Sequence, residues 1–343
     1  MTEARAAGAP WTQRLAESPP WSPLRLSFAI AAVLGTIFLV LEAAYGRLPL
    51  VLTDDHVRGD FRMACVMILM TAYLPAAYAL AVSGARRTLD ELVPVLQGTP
   101  ADLAALREGA GRFDPGELRR AGLIGVGLAL LVPLATNLTP WTYAFWLLSP
   151  EANVHRLLLP ALGWLGSRFG FAVVAESRWL SRIGRDHVWV DLLDLRPLAP
   201  LTRQGLRQAL LSTGLLSILA LTLIDVDLAP GLLAVMGSCL IASVLLSATA
   251  LALPVRGVHD AIVAAKRSEL NRCVTQIRAL RDGQPGGGRS LADLLSWRAF
   301  VESVPEWPFD APTLLRFSLY LAIPLGSWLG GALVEKLVDR LFG

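Results

Sequence analysis

Charge is scarce in this chain. Across 343 residues Asp, Glu, Lys and Arg make up 17%, against roughly 25% in soluble domains. Lysine is nearly absent: 31 basic residues include only Lys266 and Lys336. No basic run with interleaved aromatics stands out, which excludes a nucleic-acid groove. Histidine numbers four and cysteine three. Cys65, Cys239 and Cys273 are odd in number and far apart, which argues against a disulfide framework, and no CxxC pair offers a structural zinc site. There is no HExxH, no GxxxxGK[ST] loop and no GxSxG elbow, so the common metalloprotease, nucleotide-binding and hydrolase signatures are missing. Acidic residues are also rare at the centres of the apolar blocks.

What is abundant is apolar. Hydrophobic residues reach 54% and the mean hydropathy is +0.51. They fall in blocks of about 20 residues, the length of a helix that crosses a bilayer. The blocks lack period-two alternation, which disfavours a barrel, and a lipid-exposed backbone must satisfy its own hydrogen bonds. The expected fold is therefore all-α: a polytopic transmembrane helix bundle of about seven spans with a helical cytoplasmic layer. The spans are placed near 26–45, 62–83, 121–136 (with an aromatic extension to 148), 157–177, 208–224, 229–254 and 313–335. The first block exceeds a signal-peptide core and no small-x-small cleavage site follows it, so it reads as a retained span.

Basic residues orient such a bundle. With the N-terminus inside, segments 1–25, 84–120, 176–207 and 255–316 hold 24 of the Lys and Arg residues. The outer segments hold six, and Arg168 lies within a span. The expectation is a multi-pass cell-membrane protein with a cytoplasmic N-terminus and an external C-terminus. Its organisation reads as an N-terminal segment 1–25, a six-span region 26–254 with inner helical loops 84–120 and 176–207, amphipathic inner helices over 255–312 broken by a Gly-rich stretch 283–288, and a last span with the C-terminus over 313–343.

Arg168 is the most informative residue. An arginine at mid-bilayer costs at least roughly 2.5–3.5 kcal/mol, so it should face the bundle interior, a wet cavity or a carboxylate. Glu176, eight residues on, and Glu42 are the candidate partners, although eight residues is about 12 Å of helical rise. Gly166 with Gly170, and Gly326 with Gly330, form GxxxG pairs expected to pack helices closely. Gly122, Gly125 and Gly127 lie inside the third span, where helix packing explains them. His187, Asp191 and Asp194 would share one stripe if their stretch is helical. With His259 they form a weak candidate metal set, since imidazole and carboxylate are suitable ligands. Asp54, Asp55, His56 and Asp60 read as a solvated outer loop.

No catalytic residue, metal or cofactor is assigned. Over 255–282, Val263, Leu270, Val274, Ile277 and Leu280 recur at helical spacing, an amphipathic face for a second copy or a protein partner. The leading reading is a non-enzymatic scaffold, sensor or assembly subunit embedded in the lipid bilayer. The alternative is an ion or small-solute channel or transporter with Arg168 in the pathway. A third is an inner-face membrane enzyme using His187, Asp191 and His259.

Overall fold

The computed structural model describes residues 22–135, 150–223, 230–282, 290–308, 315, 317–320, 322 and 326. Everything regular among them is helical: α1 Pro23–Ala44, α2 Leu50–Thr53, α3 Asp55–Leu92, α4 Pro100–Gly109, α5 Pro115–Ala135, α6 Pro150–Asp186, α7 Ala199–Ala220, α8 Pro230–Arg281 and α9 Leu291–Ser303. The sequence marks many of the starts. Ser22 caps α1 and Pro23 occupies its first turn, where no backbone donor is needed. The Asp54 carboxylate accepts from the His56 and Val57 amides, which makes that acidic loop a helix cap. Thr99–Asp102 and Ser290–Asp293 form reciprocal capping boxes at α4 and α9.

Among the described residues four helices are long and apolar enough to cross a membrane: Pro23–Ala44, Asp55–Val95, Asn153–Asp186 and Ala234–Arg281. The expected third and fifth spans fall on α5 and α7. Their apolar stretches are shortened by Arg119 and Arg120 and by Arg203 and Arg207. The expected seventh span, Gly330, the extension to 148 and the Gly-rich 283–288 lie wholly or largely outside the described residues. Large apolar side chains face outward on α1 (Phe28, Val33, Val40), on α5 (Leu123, Ile124, Leu128) and on α8 (Ile241, Leu245). Such a belt suits lipid, since soluble monomers rarely expose wide apolar patches.

The central helix is α3. It packs against α1, α6 and α7, while α6 also contacts α5 and α8, and α7 lies along α8. Two glycine crossings set the closest approaches. A Cβ on Gly125 of α5 would strike the Gly163 carbonyl of α6, and one on Gly163 would strike the Gly125 carbonyl. Further along α6, a Cβ on Gly257 of α8 would strike the Ser181 carbonyl. The expected GxxxG pair does less. Gly166 has only Leu74 Cδ1 near it at 3.9 Å, Gly170 only Leu246 Cδ2 at 3.8 Å, and Gly326 nothing within 4 Å. Close packing of α6 thus rests on Gly163 rather than on Gly166 and Gly170, because these two face ordinary side chains instead of a glycine on a neighbouring helix.

Helices α3, α6 and α8 run for 38, 37 and 52 residues. At 1.5 Å per residue α8 is about 78 Å long, more than twice the ~30 Å hydrocarbon thickness. The C-terminal ends of α3 and α6 meet the middle of α8 in one layer. Leu92, Leu180, Leu198, Leu201, Val258, Ile262 and Val301 form a buried cluster there. Leu96 and Val188 make the one strand-like bridge among the described residues. Helix α9 folds back on α8, burying Leu294 and Val301. Lys266 pins the turn by donating to the Glu302 and Val304 carbonyls at 2.9 and 3.0 Å. Val263, Leu270, Val274, Ile277 and Leu280 of the expected apolar stripe are all half-buried, and Leu270 packs against the cluster that holds Val301 of α9.

Candidate functional site

The polar groups of the bundle interior meet where α3, α6 and α7 touch. From α6 come Arg168, Glu176 and Ser177. From α7 come Gln204, Gln208 and Ser212, spaced by four so that they share one face. Tyr78 stands opposite on α3. All but Arg168, which is half-buried, are buried.

Gln208 is the hub. Its Nε2 donates to Glu176 Oε2 at 2.8 Å, and its Oε1 accepts from the Ser177 hydroxyl at 2.8 Å. One turn away, Gln204 Nε2 donates to the Ala81 carbonyl of α3 at 3.2 Å. Gly84 makes that contact feasible, because a Cβ there would collide with the Gln204 amide. Three buried atoms in the seam have no hydrogen-bond partner: Tyr78 Oη, Arg168 Nε and Glu176 Oε1. Tyr78 lies within electrostatic reach of Arg168, Glu176 and Arg86.

Arg168 is seated by aromatic packing rather than by a carboxylate. Its guanidinium carbon lies 5.1 Å from the Trp164 ring centroid, within cation–π range. Gly122 of α5 leaves room for that ring, since a Cβ there would meet it at 2.5 Å. Among the described residues Arg168 has no ion pair. The expected partners are engaged elsewhere: Glu176 with Gln208, and Glu42, buried on α1, with Arg47 Nε at 3.9 Å. A buried polar atom left unmatched costs about 1–3 kcal/mol. Three of them in one seam form the structure's clearest concentration of unmet hydrogen-bonding capacity.

The weak metal set does not assemble. Helix α6 ends at Asp186, so His187, Asp191 and Asp194 are not on a helical stripe. The chain turns extended there: the His187 carbonyl accepts from the Gln97 amide and the Val95 carbonyl from the Trp189 amide. The Asp191 and Asp194 carboxylates accept from the amides of Leu193 and Arg196, closing local turns. His259 stacks on Trp307 with centroids 4.1 Å apart, and its Nδ1 meets the Glu306 carbonyl at 3.0 Å. No group of three His, Cys, Asp or Glu side chains among the described residues is arranged to hold a metal ion.

Gln204, Gln208, Ser212 and Tyr78 were not among the sequence candidates. The signal was the i, i+4, i+8 polar row entering an apolar helix. Comparisons with protein-family models, with curated proteins and with solved structures find no match.

Proposed function

We propose that this multi-pass membrane protein moves a proton or a small polar solute along the seam between α3, α6 and α7. The observation that carries the reading is the sequestered Glu176 carboxyl, held on one oxygen by Gln208 and unmatched on the other, in a bundle interior that also holds the unmatched Tyr78 Oη and Arg168 Nε. Ionisable residues inside membrane spans are costly and characteristically mark ion, proton and substrate pathways. Glu176 would exchange a proton or accept a donor from the solute. Tyr78 and Arg168 would supply donors to a negatively polarised group.

The charge count supports a cytoplasmic N-terminus and a cytosolic position for the layer where α3 and α6 end against α8. The chain would then sit in the cell membrane with the Arg86 end of the seam toward the cytosol. A scaffold reading draws support only from the tip of α8, where Val274, Ile277 and Leu280 remain half-buried. An enzyme using His187, Asp191 and His259 draws none, since the Asp191 carboxylate closes a local turn, His259 stacks on Trp307, and no group of three such side chains among the described residues is arranged to hold a metal ion.

The test is flux into proteoliposomes, read with an internal pH dye under an imposed potential and with a panel of small anions. The expected result is protein-dependent flux that falls at least ten-fold in Glu176→Gln and Arg168→Gln, with unchanged elution on size exclusion. Absence of flux for protons and for every anion, or equal flux in both variants, overturns the reading.

A further inference from the structure

Beside the seam on α7, Arg203, Leu206, Arg207, Leu210 and Leu211 line a shallow groove of about 310 Å³. Its two ends differ in chemistry. Leu206, Leu210 and Leu211 continue into the apolar part of α7, and Leu210 is exposed. The other end is cationic. Arg203 is exposed and pairs with Glu91 of α3 at 3.0 Å. Arg207 is half-buried and has no ion pair among the described residues. Gly84 of α3 lets it in: a Cβ there would lie 3.1 Å from Arg207 Nη1. This level of the bundle is also where the apolar run of α3 gives way to Arg86 and Arg87, so it is the boundary between hydrocarbon and water.

We propose that the groove binds one anionic phospholipid, its phosphate on Arg207 with help from Arg203 and an acyl chain along Leu206, Leu210 and Leu211. The assignment needs only that the bundle lies in a bilayer; it does not depend on transport through the seam. A cation at the headgroup level beside an apolar channel matches both halves of a lipid, and basic pockets between membrane helices are recurrent headgroup sites. Arg207 carries most of the recognition, because Glu91 already neutralises part of Arg203. A free phosphate would satisfy the arginine and leave the leucine half uncovered, so a lipid is the better occupant.

The experiment is native mass spectrometry of the full-length protein in detergent, titrated with phosphatidylglycerol, with phosphatidylcholine, and with phosphatidylglycerol against millimolar inorganic phosphate. The expected result is a first phosphatidylglycerol retained well before phosphatidylcholine and not displaced by phosphate. Binding should weaken about five-fold in Arg207→Gln, the factor expected of one cation at an anionic lipid surface, and further when Arg203→Gln is added. Arg278→Gln, exposed near the far end of α8, should change nothing. Leu210→Trp fills the apolar half with both arginines intact and should weaken binding by itself, which keeps the test decisive if the arginine variants fold poorly. Equal retention of the two lipids, displacement by inorganic phosphate, or unchanged binding in both Arg207→Gln and Leu210→Trp overturns the proposal.

Discussion

Gln208 of α7 holds two neighbouring residues of α6 with opposite ends of one amide: it donates to Glu176 and accepts from Ser177, each at 2.8 Å. The amide therefore fixes the rotation of α7 against α6. Replacing it with leucine keeps the volume and strands a carboxyl and a hydroxyl together. Gln208→Leu is expected to lose about 1–3 kcal/mol of stability, the cost of leaving buried polar groups unmatched. Thermal unfolding in detergent checks it, and an unchanged midpoint would mean that water replaces the amide.

The α5–α6 crossing depends on two glycines facing each other's carbonyls. Gly125→Ala and Gly163→Ala should each cost about 1–3 kcal/mol, the usual penalty for overpacking. Gly166→Ala has room, with its nearest neighbour at 3.9 Å, and should stay within about 0.5 kcal/mol of the parent. Ranking the three by melting temperature tests the crossing directly; a reversed order would place the contact at the GxxxG pair.

Lys266 ties α8 to the end of α9 through two carbonyls, with the Glu306 carboxylate a further 3.4 Å contact. Lys266→Met keeps the aliphatic stem and removes the three donors. Hydrogen bonds from a charged donor contribute about 1.5–3 kcal/mol, so amide exchange over 300–306 should accelerate by ten-fold or more. Exchange at α3 should not change. Uniform acceleration would mean that the pin supports the whole bundle.

The Thr99 hydroxyl and amide both donate to Asp102, and they hold its carboxyl below its ordinary value of 3.8. A carboxyl depressed in the folded state stabilises the fold above its unfolded value, and that contribution fades as pH falls through the lower folded value. The start of α4 should therefore keep its protection at neutral pH and fray only on acidification below the usual aspartate range. Amide exchange of 100–105 as a function of pH reads this. Asp102→Asn should show the loosened helix start already at pH 7.

The sequence carried the helices well, because runs of 20 apolar residues leave a backbone in lipid few alternatives. Arg168 and Glu176 were also legible, since each is expensive where it lies. Gln204 and Gln208 were not: hydropathy begins the fifth span at 208, so the amides read as its wet edge although α7 starts at Ala199 and buries both. The error at His187 came from continuing a helix through Val188, Trp189 and Val190. Their bulky, largely β-branched side chains favour the extended chain that pairs with Leu96. GxxxG spacing misled at Gly166 and Gly170 because close approach needs a small residue on both helices, as Gly125 opposite Gly163 and Gly257 opposite Ser181 provide, whereas Gly166 and Gly170 face Leu74 and Leu246.

Whether the seam is reached by water decides its role more directly than any stability measurement. With Cys65, Cys239 and Cys273 replaced by serine or alanine, single cysteines at 176 and 208 can be offered a small, charged, membrane-impermeant methanethiosulfonate from each side of sealed vesicles. Ser268→Cys, exposed on α8, serves as the control for the side carrying the α8 tip. Labelling of Glu176→Cys and Gln208→Cys from the same side as Ser268→Cys is the expected result. Complete labelling of Ser268→Cys with neither seam position modified from either side would contradict a conducting seam and leave Glu176, Gln208 and Ser177 as a sealed structural contact.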